Sequence, residues 1–386
     1  MLGKIFSSFS AKKDIAGLDV GSSCVKVAIF SNEKSGKKLK TWGHIPYSVP
    51  ANAQPDERKA LISEEISKFF KKMGIQTKYV ASSVSGNSVI VRYVKLPKMT
   101  KKELDLAIKV EAEPFIPFDV NDIYLSYHIL NDSVQEEGQQ KMEVVIVAAK
   151  KEVVNEKIDI ITGAGLEPAI IDVDSFALEN LYSKLPGAEK GKSVLLVNMG
   201  NKTTNLSIIH PGTVSTPENP IAKDAPFNPY SRVVRDIFIS GASLDRSLSK
   251  ILSVTPEQAQ EFKKGIRLLI NDEEKLEAIK NYDKQLIVSS KAAITIFKDM
   301  ASEISRSIDF YLSQGMDHSI SRIYLSGGLS ATPNLCAYLS GEFKIPVELM
   351  NPFSAAGETP KNMPADIIPS MAVACGLGLR ELRDWQ

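Results

Sequence analysis

The stretch Ile15-Ala16-Gly17-Leu18-Asp19-Val20-Gly21-Ser22-Ser23-Cys24-Val25-Lys26-Val27-Ala28-Ile29-Phe30 decides how the chain is read. Two apolar runs, Ile15 to Val20 and Val25 to Phe30, flank Gly-Ser-Ser, which predicts two short strands joined by a tight turn. The first strand delivers Asp19 to the mouth of that turn. Gly21, Ser22 and Ser23 then offer backbone N–H and hydroxyl donors in a concave arc suited to phosphate oxygens. Because Val25, Val27 and Ile29 alternate onto the other face, Lys26 can point back over the same turn as a cation. Taken alone, such a hairpin is better explained as a surface turn. What changes the reading is repetition.

A second turn of this type, Asn198-Met199-Gly200-Asn201-Lys202-Thr203-Thr204, again follows an apolar strand, Val194 to Asn198, and is followed by another, Asn205 to Ile209. The likeness of the halves points to a duplicated fold whose two turns could clamp one polyphosphate between them. A third element, Tyr324-Leu325-Ser326-Gly327-Gly328-Leu329, runs a strand into a double glycine, where missing side chains let a flat base approach the backbone.

Between the turns, a strand is expected near Leu39 to Val49 and a helix over Asp56 to Met73, ended by Gly74. Strands at Tyr79 to Val84 and Ser88 to Leu96 precede Thr100 and Glu103, a capping box that opens a helix running to Pro114. Strands over Asp122 to Leu130 and Met142 to Ala149 and a helix over Lys151 to Ala164 complete a block read as an inserted subdomain, about 78–168. Pro217, Pro220, Pro226 and Pro229 bar a central strand, so residues 213–235 read as a projecting loop. Helices are expected at Ala242 to Leu252, Pro256 to Ile266 and Leu286 to Gly315, and near Ala372 to Arg383.

Composition narrows the function classes. The 386 residues carry 47 Lys+Arg against 46 Asp+Glu, a net charge of +1, which gives no basic field for nucleic acid. Three scattered cysteines, Cys24, Cys336 and Cys375, form no CxxC pair and fit a reducing compartment, while four scattered histidines show no metal-ligand spacing. No run reaches the length of a spanning helix. Residues 1–14 lack the apolar core of a signal peptide, yet Leu2, Ile5, Phe6 and Phe9 fall at helical spacing beside Lys4, Lys12 and Lys13. That pattern fits either a frayed terminus or an amphipathic helix docking on a membrane or partner.

The order and spacing of the three elements resemble the actin-like ATPase superfamily. Within it, Val89-Ile90-Val91-Arg92-Tyr93-Val94-Lys95-Leu96-Pro97, Lys102-Glu103-Leu104 and Glu111-Ala112-Glu113-Pro114-Phe115-Ile116-Pro117-Phe118-Asp119 resemble the PilM family of type IV pilus assembly, over about Ile15 to Leu379. The resemblance implies an α/β fold: an actin-like (ribonuclease H-like) two-lobed ATPase with an inserted FtsA-type α+β subdomain. Residues 15–77 and 169–193, with a C-terminal helix over 369–386, would form the first lobe, 78–168 the partner-binding insert and 194–368 the second lobe.

ATP with Mg²⁺ is the implied ligand. By resemblance, Asp19 would hold Mg²⁺ through water, as would Asn198. Gly21, Ser22, Ser23 and Lys26 would meet the phosphates, Gly200, Asn201 and Thr204 would form the second phosphate loop, and Gly327 and Gly328 would meet adenosine. Asp174 would position the attacking water, with Asp172 as its alternative and helix N-capping as the structural one. Ala259-Gln260-Glu261-Phe262-Lys263 keeps the family's Lys263 at the ribose but has Gln260 for its Glu. Asn198 stands where the superfamily usually has Asp, so Mg²⁺ should be held less firmly and hydrolysis should be slow or absent.

The implied partner is the cytoplasmic N-terminal tail of the inner-membrane protein PilN, met by Arg92, Pro117 and Phe118, with other pilus inner-membrane-complex and motor components and a homo-oligomer or ring also in prospect. The implied setting is the cytoplasm, peripheral at the inner-membrane face, in twitching motility. Two rivals are an FtsA-like membrane-associated filament and a small-molecule kinase of the same superfamily.

Overall fold

The computed structural model describes residues 14–33, 36–49, 53–136, 138–189, 191–210, 230–315 and 319–381. The amphipathic start at 1–13 and most of the proline-rich 213–235 segment lie outside them.

The chain opens with β1 (Ala16–Val20), β2 (Cys24–Glu33) and β3 (Gly36–Pro46), then α1 (Pro55–Lys72) and β4 (Tyr79–Val84). An α+β block follows: β5 (Val89–Pro97), α2 (Lys101–Ala112), β6 (Ile123–Glu136) and β7 (Gln139–Lys150). Next come α3 (Lys151–Gly163), β8 (Glu167–Val173) and α4 (Asp174–Tyr182). The second half contains β9 (Val194–Met199), β10 (Thr204–His210), β11 (Tyr230–Ile237), α5 (Gly241–Leu252), α6 (Pro256–Lys264), α7 (Asp272–Lys280) and α8 (Lys284–Ser313). It closes with β12 (Arg322–Ser326), α9 (Leu335–Phe343), β13 (Val347–Leu349) and α10 (Ala372–Gly378).

Two five-stranded sheets repeat one plan. Their orders are β3-β2-β1-β4-β8 and β11-β10-β9-β12-β13, each an antiparallel three-strand meander extended by two parallel strands. That is the duplicated actin-like architecture. Helices α4 and α10 lie between the sheets, where Leu178, Leu181, Ala374 and Leu377 meet Phe30, Leu196 and Phe353 in one interlobe core. On the outer faces, α1 and α3 cover the first sheet, and α5, α6, α8 and α9 cover the second.

Two expectations are corrected. β4, read as part of the inserted block, is the fourth strand of the first sheet, and Ile160, Ile161 and Ala164 of α3 pack in the first-lobe core. The separate three-stranded sheet is β5-β7-β6, covered by α2. A short strand with both flanks apolar, such as Tyr-Val-Ala-Ser-Ser-Val, carries no local mark of which sheet it joins. The end of the proline-rich segment is likewise strand rather than loop. Tyr230–Ile237 pairs antiparallel with β10, because past Pro229 no proline removes a ladder donor. Where the sequence was decisive it was the capping that made it so: Thr100 and Glu103 form the expected box at α2, and Thr255 caps α6 with Pro256 at its first position.

Candidate functional site

The first turn is held from behind by its carbonyls. Tyr47 Oη donates to the Gly21 carbonyl and Lys157 Nζ, from α3, donates to the Val20 carbonyl at 2.6 Å. Gly21 N–H closes the turn on the Cys24 carbonyl at 3.1 Å. Since N–H and C=O of one peptide point in opposite directions, fixing the Gly21 carbonyl on Tyr47 turns the Ser22 N–H the other way. Lys26 Nζ reaches back over the turn to Asp19 Oδ2 at 2.9 Å, the two side chains 14% and 16% exposed. Burial pulls the Lys26 pKa down, but the charge and hydrogen bond of Asp19 with the charges of Cys24 and Asp174 together outweigh it and raise the pKa, so this ammonium stays charged.

The second turn copies the first: Gly200 N–H closes on the Thr203 carbonyl at 3.0 Å. Asn201 Nδ2 lies 3.4 Å from Ser22 Oγ, so the two turns face each other across the lobes. Gly200 and Asn201 carbonyls accept from Gly241 and Ala242 N–H at the start of α5. Lys263 Nζ donates to Asp245 Oδ2 at 2.8 Å and lies 3.5 Å from Asn201 Oδ1. A Cβ on Gly241 would sit 3.0 Å from Asn201 Oδ1 and 3.4 Å from Lys263 Nζ, so this approach is kept clear by glycine. Thr204 is a correction. Its hydroxyl donates to the Ile239 carbonyl and the residue is fully buried, so its side chain serves the second lobe rather than the cleft.

Asp174 begins α4 without capping it; Val173 holds the cap position. Its Oδ1 accepts from Ser83 Oγ at 2.5 Å. Burial, then the charge of Asp19, raise its pKa, opposed by hydrogen bonds from Ser83 and Ser85 and by Lys157. Asp172 is removed from contention: its carboxylate pairs with Arg380 at 2.7 Å and accepts from Val173 N–H.

Asn198 sits in a row of polar side chains that crosses four strands. Ser326 Oγ is 3.4 Å from Asn198 Oδ1, Asn198 Nδ2 is 3.2 Å from Asn205 Oδ1, and Asn205 Nδ2 donates to Asp236 Oδ1. Asp236 Oδ2 then accepts from Gly86 N–H at 2.6 Å, beyond the end of β4. At the adenosine end, Gly327 adopts φ +86°, and a Cβ there would come 2.4 Å from the Met199 carbonyl oxygen. Gly328, beside it, is exposed with open space where a side chain would be. Asp245 is 7% exposed and its Oδ1 has no partner among the described residues. Bare backbone at Gly328, an orphaned carboxylate oxygen beside Lys263, and two opposed N–H-lined turns together fit a nucleotide.

The family model described as type IV pilus assembly protein PilM matches residues 17–215 and 235–382. The chain belongs to the PilM family. It is similar to a solved PilM-PilN type IV pilus biogenesis complex at 26% identity and TM-score 0.73, over 96% of this chain and 98% of that one. It also shares its fold with ethanolamine utilization protein EutJ from Carboxydothermus hydrogenoformans, at 12% identity and TM-score 0.52, over 95% of this chain and 89% of that one. This PilM-family chain is therefore a type IV pilus assembly protein.

The three partner residues named from the family string are not brought together. Arg92 lines a cavity of about 210 Å³ between the β5 edge, the start of α4 and the β11 edge, with Gly86, Val91, Ser175, Val234 and Phe238. Phe118 packs on the inserted core with Lys150 Nζ 4.9 Å above its ring, and neither it nor the exposed Pro117 lines that cavity. Sequence reasoning also missed Lys157, Asp245 and Glu179. Glu179 Oε2 accepts from Ser231 N–H at 2.8 Å and from Ser231 Oγ, which is 2.8 Å from Tyr93 Oη. One carboxylate thus joins α4, β11 and β5, and burial pushes it up to about 7. Only Lys157 had a local signal, being a lysine on the Val154 and Ile161 face of its helix.

Proposed function

We propose that this PilM-family chain is an ATP-binding scaffold at the cytoplasmic face of the inner membrane that recruits the cytoplasmic N-terminal tail of PilN. The observation that carries the nucleotide half is the opposition of the two turns, Ser22 against Asn201. In this reading Ser22, Ser23 and Asn201 offer N–H donors to the phosphates while the Gly21 and Gly200 N–H groups close the two turns, Lys26 adds charge, and Lys263, Asp245 and Gly328 meet the nucleoside. Mg²⁺, where bound, would neutralise phosphate charge, with Asp19 and Asn198 holding its water shell. Asp174, held by Ser83 at the start of α4, would be the acceptor for a water proton. The second lobe offers that water shell an amide where a carboxylate would bind Mg²⁺ more firmly, which supports slow turnover.

The partner half rests on the PilM-PilN complex to which the chain is similar and on the cavity at Arg92. β5 and β11 are both edge strands of their sheets and, apart from the Ser231 N–H held by Glu179 and the Val91 carbonyl held by Arg92, would pair their outer backbone groups with an extended peptide, with Val91, Val234 and Phe238 to receive apolar side chains. The partner-binding unit is then the block from Ser85 to Lys150. No helix among the described residues is long and apolar enough to cross a membrane, and a PilN tail would supply membrane attachment.

Two measurements test this. Purified protein, denatured, should release ATP rather than ADP, and a preparation that neither carries nor binds either nucleotide sinks the nucleotide half. A peptide of the PilN tail should bind the parent and lose about tenfold or more on Val91→Asp, as expected for burying an unpaired charge. Equal binding moves the partner site elsewhere.

A further inference from the structure

The face that α3 turns to the core carries Val154 and Ile161, both buried, and between them Lys157, three residues after one and four before the other. A leucine or methionine there would pack without desolvating a charge. Lys157 Nζ instead reaches the split between β1 and β4. Their parallel pairing runs Ala16↔Val80, Gly17↔Ala81, Leu18↔Ser82 and stops, which leaves the Val20 carbonyl without a strand partner. Lys157 supplies the donor at 2.6 Å.

That bond uses one of the three donors of an ammonium. Among the described residues Lys157 has no second acceptor and no ion pair, whereas Lys26 has its charge paired with Asp19 at 2.9 Å. Burial lowers the Lys157 pKa, and the charges of Asp174 and Asp19 oppose that shift, as the negative charge of a bound phosphate would. The second turn carries Lys202, which is exposed, and Lys263 beside it is paired with Asp245. Open parallel sheets bind ligands beyond the carboxyl ends of their strands, and Val20, Val84 and Val173 are those ends here. Lys157 therefore stands at the phosphate floor on the Asp174 side, apart from Lys263 and Gly328 at the nucleoside side.

We propose that Lys157 is a second phosphate-binding cation of the cleft, the one that tells a nucleoside triphosphate from a diphosphate. This rests on the nucleotide reading above. Lys157 keeps one N–H on the Val20 carbonyl, which shapes the turn, and turns its free donors to the terminal phosphate. The charge, not the hydrogen bond to Val20, is what the triphosphate uses.

The test is calorimetric titration of the full chain with ATP, a non-hydrolysable ATP analogue and ADP, on the parent and on Lys157→Met, Lys157→Gln and Lys157→Arg, with thermal melts of each. Gln retains an N–H donor for the Val20 carbonyl without the charge; Arg retains the charge. Met and Gln should each weaken both triphosphates about 10- to 100-fold while ADP changes by less than about threefold, and Arg should stay within about threefold of the parent. If Met unfolds, the Gln and Arg pair still decides. A Gln variant that binds ATP like the parent, or ATP and ADP weakened equally, overturns the proposal and leaves Lys157 a structural brace. A parent that binds neither nucleotide fails one step earlier, on the nucleotide reading itself.

Discussion

Set side by side, the two sheets place different chemistry at equivalent positions. Across β1, β2 and β3 the pairing puts Asp19 opposite Lys26 and Lys26 opposite His44; across β9, β10 and β11 it puts Asn198 opposite Asn205 and Asn205 opposite Asp236. The first row is charged and its charges stand at the cleft. The second is two neutral amides leading to a half-buried carboxylate whose pKa burial raises, and its hydrogen bonds are spent along the row and on Gly86. One row offers a ligand charge, the other shape. A duplicated fold can divide the work of binding in this way because the ladder fixes the geometry in both halves, while the side chains on it are free to differ.

The largest expected effect breaks the second row at its edge. In Gly327→Ala the new Cβ would lie 2.7 Å from Asn198 Oδ1 and 2.4 Å from the Met199 carbonyl, at a φ of +86° that alanine resists. Clash and strain together should cost on the order of 3 kcal/mol and abolish nucleotide binding. Gly328→Ala, one residue on, meets open space and should stay within about 0.5 kcal/mol of the parent. Chemical denaturation of the two variants checks the contrast, and equal stabilities would mean that the second turn is not held against β12.

Next in size is the seam between the lobes. Glu179 titrates at about 7 in the folded chain against an ordinary 4.5, with burial as the first cause. A carboxyl raised by folding binds protons more tightly in the native state. Its contribution is therefore fully present below about pH 4.5 and is lost as pH rises through 7, a change of about 3 kcal/mol. The melting temperature of Glu179→Gln should lack this part of the parent's fall between pH 5 and 8. Parallel profiles for the two proteins would remove Glu179 from the account.

Much of the site was legible because it is local. Asp19, Gly21, Ser22 and Lys26 lie within one hairpin, and a period of two fixes which of them share a face. The second row was not legible, since Asn205 meets Asp236 only through the register of β10 on β11, two strands separated by a long proline-rich segment. Asn198 could be recognised as a neutral substitute but not as a member of a ladder. Glu179, Ser231 and Tyr93 come from α4, β11 and β5, and no spacing in the chain announces their meeting. Lys157 reads as one more charge on a helix until the split between β1 and β4 shows what it reaches.

Lys26→Ala tests the charged row itself. Losing a charge-assisted phosphate contact should weaken ATP binding about 10- to 100-fold, from about 1.5 to 3 kcal/mol. The same change has a second readout, since His44 lies opposite Lys26 and its pKa is lowered first by burial and then by that ammonium. Removing the ammonium should move the His44 titration upward in an NMR pH series. ATP affinity unchanged by calorimetry would take Lys26 out of the site.

The smallest effect belongs to Asn198→Asp, and it probes the comparison most sharply. An aspartate would still accept from Ser326 Oγ, but it would set an oxygen against Asn205 Oδ1, where Asn198 Nδ2 now donates at 3.2 Å. Asn205 cannot flip its amide to compensate, because its Nδ2 is held by Asp236 Oδ1. The single variant should therefore lose about 1 kcal/mol, a net hydrogen bond, while the added charge tightens Mg²⁺ and speeds single-turnover hydrolysis. Adding Asn205→Lys turns the row into a copy of Asp19 and Lys26. If the rows are equivalent in more than geometry, the double variant recovers the lost stability, and the coupling appears in a double-mutant cycle as a departure from additivity of about 1 kcal/mol. Two additive losses would show that the neutral row is required by its surroundings, with Gly86 and Asp236 demanding an amide at 205 whatever stands at 198.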